Sequence, residues 1–148
     1  MYPSDDTISN ANYSINIKFN TNDEPEVPSN IEEVEPNNEF ESAKVAIYNN
    51  IDAKGNLAIG GDTDVFYFDV DTASNVNIKI GSAQKEYTWV VCKSDNLNKF
   101  VCWKQYNEVD GTSGRFQATP GKYFIKLYSL NNSSRVDYTI KIDGIRQR

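Results

Sequence analysis

Short runs in which apolar and polar residues alternate dominate this chain of 148 residues. The runs are rich in Val, Ile, Tyr and Phe, which favour strands, and turn sequences such as Gly60-Gly61-Asp62 and Pro120-Gly121 separate them. Helical periodicity is absent, apart from a single turn near residues 38–44. Many short strands at regular spacing are typical of a β-sandwich or jelly roll, so we expect an all-β fold. The ten predicted strands are Tyr13–Phe19, Val45–Tyr48, Asn56–Ile59, Val65–Val70, Asn75–Ile80, Tyr87–Lys93, Phe100–Gln105, Arg115–Thr119, Lys122–Ser129 and Val136–Asp143.

The alternation also predicts which side chains face the core, because successive residues of a strand point to opposite faces. In the strand Lys122–Ser129, the residues suited to the core are Tyr123, Ile125 and Leu127. The residues predicted to point away from it are Phe124, Lys126 and Tyr128. The same alternation predicts five further core residues: Phe66, Phe68, Val70, Trp89 and Val91.

A stretch near the N terminus resembles the last predicted strand. Residues 12–19, Asn-Tyr-Ser-Ile-Asn-Ile-Lys-Phe, are similar to residues 137–143, Asp-Tyr-Thr-Ile-Lys-Ile-Asp. One interpretation is that the first stretch closes a preceding module; the other is coincidence between two amphipathic strands. We expect residues 1–30 to be the tail of a preceding module plus a linker, and residues 31–148 to form the sandwich.

Charge is unevenly distributed along the chain. Residues 1–43, the acidic N-terminal leader, hold ten acidic residues and one lysine, and the remainder carries eleven acidic and fourteen basic residues. The folded body is therefore mildly basic, and it contains no basic run of the kind that binds nucleic acid. An acidic leader with several prolines is also typical of a solvated linker.

Several classes of protein are excluded by what the chain lacks. Histidine is absent, so triads and zinc motifs that need it are excluded. No apolar run is long enough for a membrane span, and Met1 is not followed by a signal peptide. We expect an excised piece of a longer exported chain, with Met1 added for expression. The chain also has no nucleophile elbow and no phosphate-binding glycine loop, which argues against an enzyme.

Two cysteines, Cys92 and Cys102, fall on one predicted hairpin. A cross-strand disulfide is conceivable in an oxidising compartment. Alternation argues against it, because Cys92 shares a face with Val90 whereas Cys102 lies opposite the face of Trp103. We therefore favour two free thiols, with no metal or redox role.

Acidic and amide side chains are concentrated in two places. Residues 33–38, Glu-Val-Glu-Pro-Asn-Asn, precede the folded body, and Asp62-Thr63-Asp64 leads into a predicted strand. Carboxylate and amide oxygens are the ligands that Ca²⁺ prefers. The alternative is a polar leader and a turn, but carboxylates clustered around no cation would repel one another.

With these residues laid out, the chain resembles the bacterial pre-peptidase C-terminal domain, and within that family the collagen-binding domains that end clostridial collagenases. The resemblance covers roughly residues 33–144. It implies a jelly-roll-like β-sandwich of about ten strands with an extended acidic N-terminal leader, holding Ca²⁺ between the leader and the loop before Asp64. The motifs that carry it are Glu33-x-Glu35-Pro36-Asn37-Asn38, Gly55-Asn56-Leu57, Asp62-x-Asp64-x-Phe66-Tyr67-Phe68-Asp69-Val70, Thr88-Trp89-Val90-Val91, Pro120–Tyr128 and Tyr138–Ile142.

The resemblance also implies a set of calcium ligands, which departs from the family in three places. Asn38 stands where the collagenase domains have Asp, Asn56 replaces a hydroxyl ligand, and Asp62 is displaced by one position. Four carboxylates remain, enough to neutralise two Ca²⁺ ions. The implied ligands are Glu33, Glu35, Asn37, Asn38, Asn56, Asp62 and Asp64.

For collagen, the resemblance implies exposed aromatic residues on one sheet face. Trp103 and Tyr128 fall at matching positions, whereas Leu130 replaces a Tyr and Val90 a Thr. Aromatic rings suit the proline-rich surface of a triple helix. Alternatively, Trp103 and Tyr128 cover a secondary cluster or a neighbouring module. The candidate collagen-binding residues are Trp103, Tyr128, Val90, Leu130 and Lys126.

The resemblance implies a non-catalytic, secreted module that binds Ca²⁺ and triple-helical collagen and anchors an extracellular collagenase to it. Its other partners would be the neighbouring domains of the same chain, with no nucleic acid and no membrane. Two alternatives stay open. One is an accessory domain of another secreted protease without collagen affinity. The other is a carbohydrate-binding module.

Overall fold

The computed structural model describes residues 27–83, 87–94, 99–107, 113–130 and 133–145, with the backbone alone for residues 103–107 and 113. Within these ranges the protein is all β, apart from a 3-10 turn over Phe40–Ser42, where the sequence predicts a helical turn. The strands described are β1 Ile31–Glu32, β2 Ala53–Leu57, β3 Thr63–Val70, β4 Ser74–Ser82, β5 Tyr87–Ser94, β6 Phe100–Asn107, β7 Ser113–Ala118, β8 Gly121–Ser129 and β9 Val136–Asp143.

The strands form two sheets that pack around a shared core. The first sheet has the order β1-β2-β9-β4-β7, and the second has the order β3-β8-β5-β6. Strand β1 pairs with β2 in parallel, and the other pairings are antiparallel. Neighbours such as β3 and β8 are far apart in sequence, as in jelly-roll folds. The predicted β-sandwich is confirmed.

The core between the sheets follows the predicted alternation. On β4, Val76, Ile78 and Ile80 are buried, while the residues between them are half-buried (Asn77) or exposed (Lys79). The five core residues predicted from β3 and β5 are confirmed, since none is more than 2% exposed. The inward residues predicted on β8 also join the core. The residues confirmed are Phe66, Phe68, Val70, Trp89, Val91, Tyr123, Ile125 and Leu127.

Three predicted strands have a different outcome. The strand predicted over Asn56–Ile59 lies earlier in the chain, as β2 Ala53–Leu57. The segment Val45–Tyr48 forms an isolated bridge between Ala46 and Tyr67 rather than a strand. The predicted strand Tyr13–Phe19 lies outside the described residues, together with most of the predicted tail and linker. The division of the chain at residue 30 therefore stays a prediction.

A second apolar cluster covers the outer face of the second sheet. Val65, Cys92 and Phe124 are buried in it, although all three point away from the main core. Phe40 stacks on Phe100 with ring centroids 4.2 Å apart, and Phe124 packs edge-on against both rings, at 5.5 and 5.2 Å. The prediction that Phe124 points away from the core is confirmed, but its ring is covered rather than free in solvent.

The prediction of two free thiols is wrong, because Cys92 and Cys102 form a disulfide. The two residues are direct partners in the β5–β6 ladder, with Cα atoms 3.9 Å apart. Side chains directly opposite in an antiparallel pair share a face, so the pairing register decides whether a bridge can form. The register shifts at an irregularity between Val90 and Val91, which alternation counted along one strand cannot reveal.

Candidate metal centre and binding face

Residues 31–47, here called the crossing segment, connect the edges of the two sheets. At its start, the Ile31 N–H donates to the Asp52 carbonyl at 3.1 Å, and the Glu33 N–H to the Lys54 carbonyl at 3.0 Å. Farther along, the Asn37 carbonyl accepts a bond of 2.8 Å from the Val65 N–H on β3. The crossing segment therefore passes the end of the sandwich where Asp64 lies.

Three carboxylates meet where the crossing segment passes β3. Oxygen atoms of Glu33, Glu35 and Asp64 all lie within 4.8 Å of one another. Two oxygens on opposite sides of one Ca²⁺ ion are about 5 Å apart, so these three groups can share a cation. Asp64 is fully buried, whereas Glu35 is exposed to solvent. The site is thus open on the side of the crossing segment.

The buried side of this cluster is held by Tyr138, which sequence reasoning missed as a site residue. Its hydroxyl donates to Asp64 Oδ2 at 2.6 Å and lies 3.2 Å from Glu33 Oε2. The approach depends on Gly55 of β2: a Cβ there would meet the Tyr138 hydroxyl, and would lie 2.7 Å from Glu33 Oε2. Gly55 and Tyr138 are paired across β2 and β9, and this pairing could have identified Tyr138 as a site residue. The pairing is apparent only once the strand register is known.

The other predicted ligands lie around the three carboxylates. Asn56 donates from its backbone and side-chain nitrogens to Glu33 Oε1, at 2.8 and 2.7 Å, so it orients Glu33. The Asp62 carboxylate accepts from the N–H groups of Ala58 and Thr63, at 2.8 and 2.9 Å, and so braces the turn before β3. Asn38 is exposed on the crossing segment.

Asn37 brings a buried amide to the same place. Its side chain is fully buried, and the amide orientation that satisfies the neighbouring groups has its nitrogen donating to Glu35 Oε2 at 2.8 Å and to Asp64 Oδ1 at 3.0 Å. Turned over, the same amide would offer its oxygen to a cation bound between the carboxylates. The residues present therefore fit a hard cation held by oxygen ligands.

The electrostatics of the cluster reflect burial and mutual repulsion. Burial raises the pKa of Asp64 to about 8, against the lowering effect of the Tyr138 hydrogen bond, and the nearby Glu33 carboxylate raises it further. Loss of hydration also raises the pKa of Glu35, with smaller contributions from the carboxylates of Asp62 and Glu33. Burial followed by the proximity of Asp64 raises the pKa of Tyr138, which therefore stays a neutral hydrogen-bond donor. A divalent cation would remove the repulsion between these groups.

Three of the predicted collagen-binding residues lie on the outer face of the second sheet, here called the binding face. Val90, Lys126 and Tyr128 are half-buried there and line a shallow, open depression of about 770 Å³. Leu130 follows the end of β8 and is 57% exposed. The backbone of Trp103 pairs with Val91, and its side chain lies outside the described residues. The other residues that line the depression are Phe40, Gly60, Gly61, Asp62, Thr63, Cys102 and Ser129.

A scan against known protein families finds no matching family. A stretch of 115 residues, 77% of the chain, is 33% identical to the collagenase ColA of Clostridium perfringens. The pre-peptidase C-terminal domain of a Bacillus anthracis collagenase has a similar structure, with a TM-score of 0.56 and 28% identity over 67% of this chain and 93% of that domain. The chain is a relative of bacterial collagenases. The predicted resemblance to their pre-peptidase C-terminal domain is confirmed.

The chain spans about one tenth of the length of the C. perfringens collagenase. Its fold also occurs in a periplasmic inhibitor of g-type lysozyme from Aeromonas hydrophila, with a TM-score of 0.54 and 18% identity over 68% of this chain and 94% of that one. That likeness concerns the fold alone. None of the helical structure in the described ranges is long and apolar enough to traverse a bilayer.

Proposed function

We propose that this collagenase-related chain is a non-catalytic, Ca²⁺-binding module that attaches a secreted collagenase to triple-helical collagen. The observation that carries the proposal is the convergence of Glu33, Glu35 and Asp64 with the buried amide of Asn37, in a chain homologous to collagenases. The disulfide supports an extracellular location, because disulfides persist in oxidising compartments.

Calcium would act as a structural clamp in this proposal. Glu33, Glu35 and Asn37 belong to the crossing segment, whereas Asp64 belongs to β3. One ion bound between them would tie the segment to the sandwich and offset two of the three negative charges of the carboxylates. Because the ion binds the folded state, it would raise the melting temperature by an amount that grows with the logarithm of its free concentration above the Kd. It would also set the direction in which the chain enters from the preceding module.

Calorimetric titration with CaCl₂ tests the clamp. We expect saturable binding to the wild type and a loss of affinity of about tenfold or more in Asp64→Asn, which removes a buried carboxylate. The matched control is Asp69→Asn, since Asp69 is on the same strand but exposed. Absence of binding to the wild type, or equal affinity of the two variants, would refute the calcium site.

The binding face supports the collagen part of the proposal. Its open depression offers the ring of Tyr128, the apolar Val90 and the cation of Lys126 on the outer surface of the sheet. Amphipathic aromatics can stack on proline rings and hydrogen-bond to backbone groups that a triple helix leaves free. An open depression also suits a rod better than it suits a small substrate, which needs an enclosed cleft.

Co-sedimentation with insoluble fibrillar collagen tests this part. We expect saturable binding of the wild type in calcium and a loss of most of it in Tyr128→Ala, because aromatic anchors dominate such interfaces. The control is Tyr48→Ala, since Tyr48 packs against the main core and lies outside the depression. Absence of wild-type binding would leave an accessory domain, and retention on chitin or cellulose instead would indicate a carbohydrate-binding module.

A further inference from the structure

Phe40 lies where the crossing segment meets the binding face. It is the first residue of the 3-10 turn, and its half-buried ring covers Phe124 and stacks on Phe100. The same ring lines the depression beside Val90 and Tyr128. Phe40 therefore has one side in the second apolar cluster and another side on the surface where collagen would bind.

Phe40 also orients the cation of the binding face. The Lys126 ammonium group lies 5.4 Å from the centroid of the Phe40 ring, within the range of a cation–π contact. A lysine stem is otherwise flexible, so this contact limits where its charge is presented. The ring consequently shapes both the apolar and the charged part of the depression.

The turn that carries Phe40 follows directly on the candidate metal centre. Asn37 is only three residues before it, a span of about 10 Å at most, and the backbone on both sides is bonded to β3. The Val65 N–H donates to the Asn37 carbonyl at 2.8 Å, and the Tyr67 N–H donates to the Val45 carbonyl at 3.2 Å. An ion that fixes Asn37 and Glu35 therefore fixes the entry to the turn that carries Phe40.

We infer that Phe40 is a contact residue of the collagen-binding face and that the metal centre controls its placement. This inference rests on the proposed function. Proline rings of a triple helix would pack against Phe40 as well as Tyr128, and an acidic side chain of the collagen would meet the oriented Lys126. Binding to collagen then becomes conditional on calcium through one aromatic residue, without any metal–collagen contact.

The test compares three variants in binding to a triple-helical peptide of Pro-Pro-Gly repeats, with calcium and with chelator. Phe40→Leu keeps an apolar cover over Phe124 but removes the ring, and Phe40→Tyr keeps the ring. Val34→Ala alters a 50% exposed residue of the same segment that does not line the depression. We expect Phe40→Leu to raise the Kd about tenfold and to lose most of the calcium-dependent gain, while the other two stay within about twofold of wild type.

A structural role alone would lower the stability of Phe40→Leu without abolishing the response of peptide binding to calcium. An unchanged Kd and an unchanged calcium-dependent gain in Phe40→Leu would overturn the inference while leaving the proposed function intact. If wild type itself fails to bind the peptide, the proposed function falls, and this inference falls with it.

Because Phe40→Leu could fail to fold, a second measurement uses the wild type: NMR contacts between Phe40 ring protons and proline protons of the bound peptide. Contacts from Tyr128 but none from Phe40 would also overturn it.

Discussion

At the residue scale, Gly55 controls how closely Tyr138 approaches the carboxylates. A Cβ at this position would meet the Tyr138 hydroxyl and would lie 2.6 Å from its Cζ atom. We expect Gly55→Ala to displace the ring, to break its 2.6 Å bond to Asp64 and to lower both the calcium affinity and the melting temperature. Calcium titration and thermal unfolding measure the two effects.

The matched control is Gly81→Ala, because Gly81 is exposed on the first sheet and a Cβ there would meet nothing within 4 Å. This variant should keep the wild-type affinity and a melting temperature equal to or slightly above that of the wild type. Equal behaviour of the two alanine variants would mean that the contact of Tyr138 does not organise the site.

The stability of the protein and its calcium affinity should both depend on pH through Asp64. Its pKa is raised from 3.8 to about 8 in the folded protein, so the native state holds a proton that the unfolded chain releases at lower pH. Without metal, stability should therefore fall as the pH rises from about 4 to about 8. Calcium must displace the proton, so its affinity should rise over the same range and about one proton should be released per ion at pH 7.

Calorimetry in buffers of different ionisation enthalpy measures this proton release. In Asp64→Asn, calcium binding should no longer release a proton from the side chain at this position. A proton count near zero for the wild type at pH 7, together with a calcium affinity that is independent of pH, would contradict the raised pKa of Asp64.

Among site residues, the sequence motifs identified those contributed by short segments and missed those contributed across the fold. Glu33, Glu35, Asn37 and Asp64 lie in polar runs that are visible along the chain. Tyr138 belongs to an alternating strand in which its ring is one more apolar residue, and only the β2–β9 register brings its hydroxyl to Asp64. A signal of that kind depends on pairing and is not present in local sequence.

At the element scale, the disulfide ties the edge strand β6 to β5. It closes a loop with a sequence separation of 10, which corresponds to roughly 3 kcal/mol of stabilisation on chain-entropy grounds. We expect reduction to lower the melting temperature by about 5–10 °C for a chain of this size. Thermal unfolding with and without reductant measures the shift.

The control for reduction is the double variant Cys92→Ala/Cys102→Ala, whose melting temperature should not respond to reductant. Titration of thiols in the unfolded wild type should detect none before reduction. Two reactive thiols, or the same melting temperature under both conditions, would restore the free-thiol interpretation that the structure overturns.

Strand positions were predicted correctly where apolar and polar residues alternate regularly. They were predicted incorrectly for a segment that crosses between the sheets. Strands β3, β4, β8 and β9 occupy the predicted segments to within a few residues. The segment Val45–Tyr48 has the composition of a strand, but it contacts the edge of β3 through isolated bonds because it also has to cross between the sheets. Tertiary context thus decided the conformation of a segment whose local preference was for a strand.

At the scale of the whole molecule, the two candidate sites lie on one continuous path. The crossing segment contributes Glu33, Glu35 and Asn37 to the candidate metal centre, pairs with the edge of the second sheet and places Phe40 on its outer face. The fold class was accessible from strand number and turn spacing. The coupling of the two candidate sites could not be predicted from the sequence, because it depends on contacts between a polar segment and a sheet edge.

The most direct measurement compares wild-type binding to native fibrillar collagen and to the same collagen after heat denaturation, both in calcium. We expect saturable binding to the native fibrils and binding at least about tenfold weaker to the denatured chains, because the open binding face would recognise a rod of fixed shape. Equal binding to both forms, or binding to neither, would contradict the proposal that this module targets the triple helix.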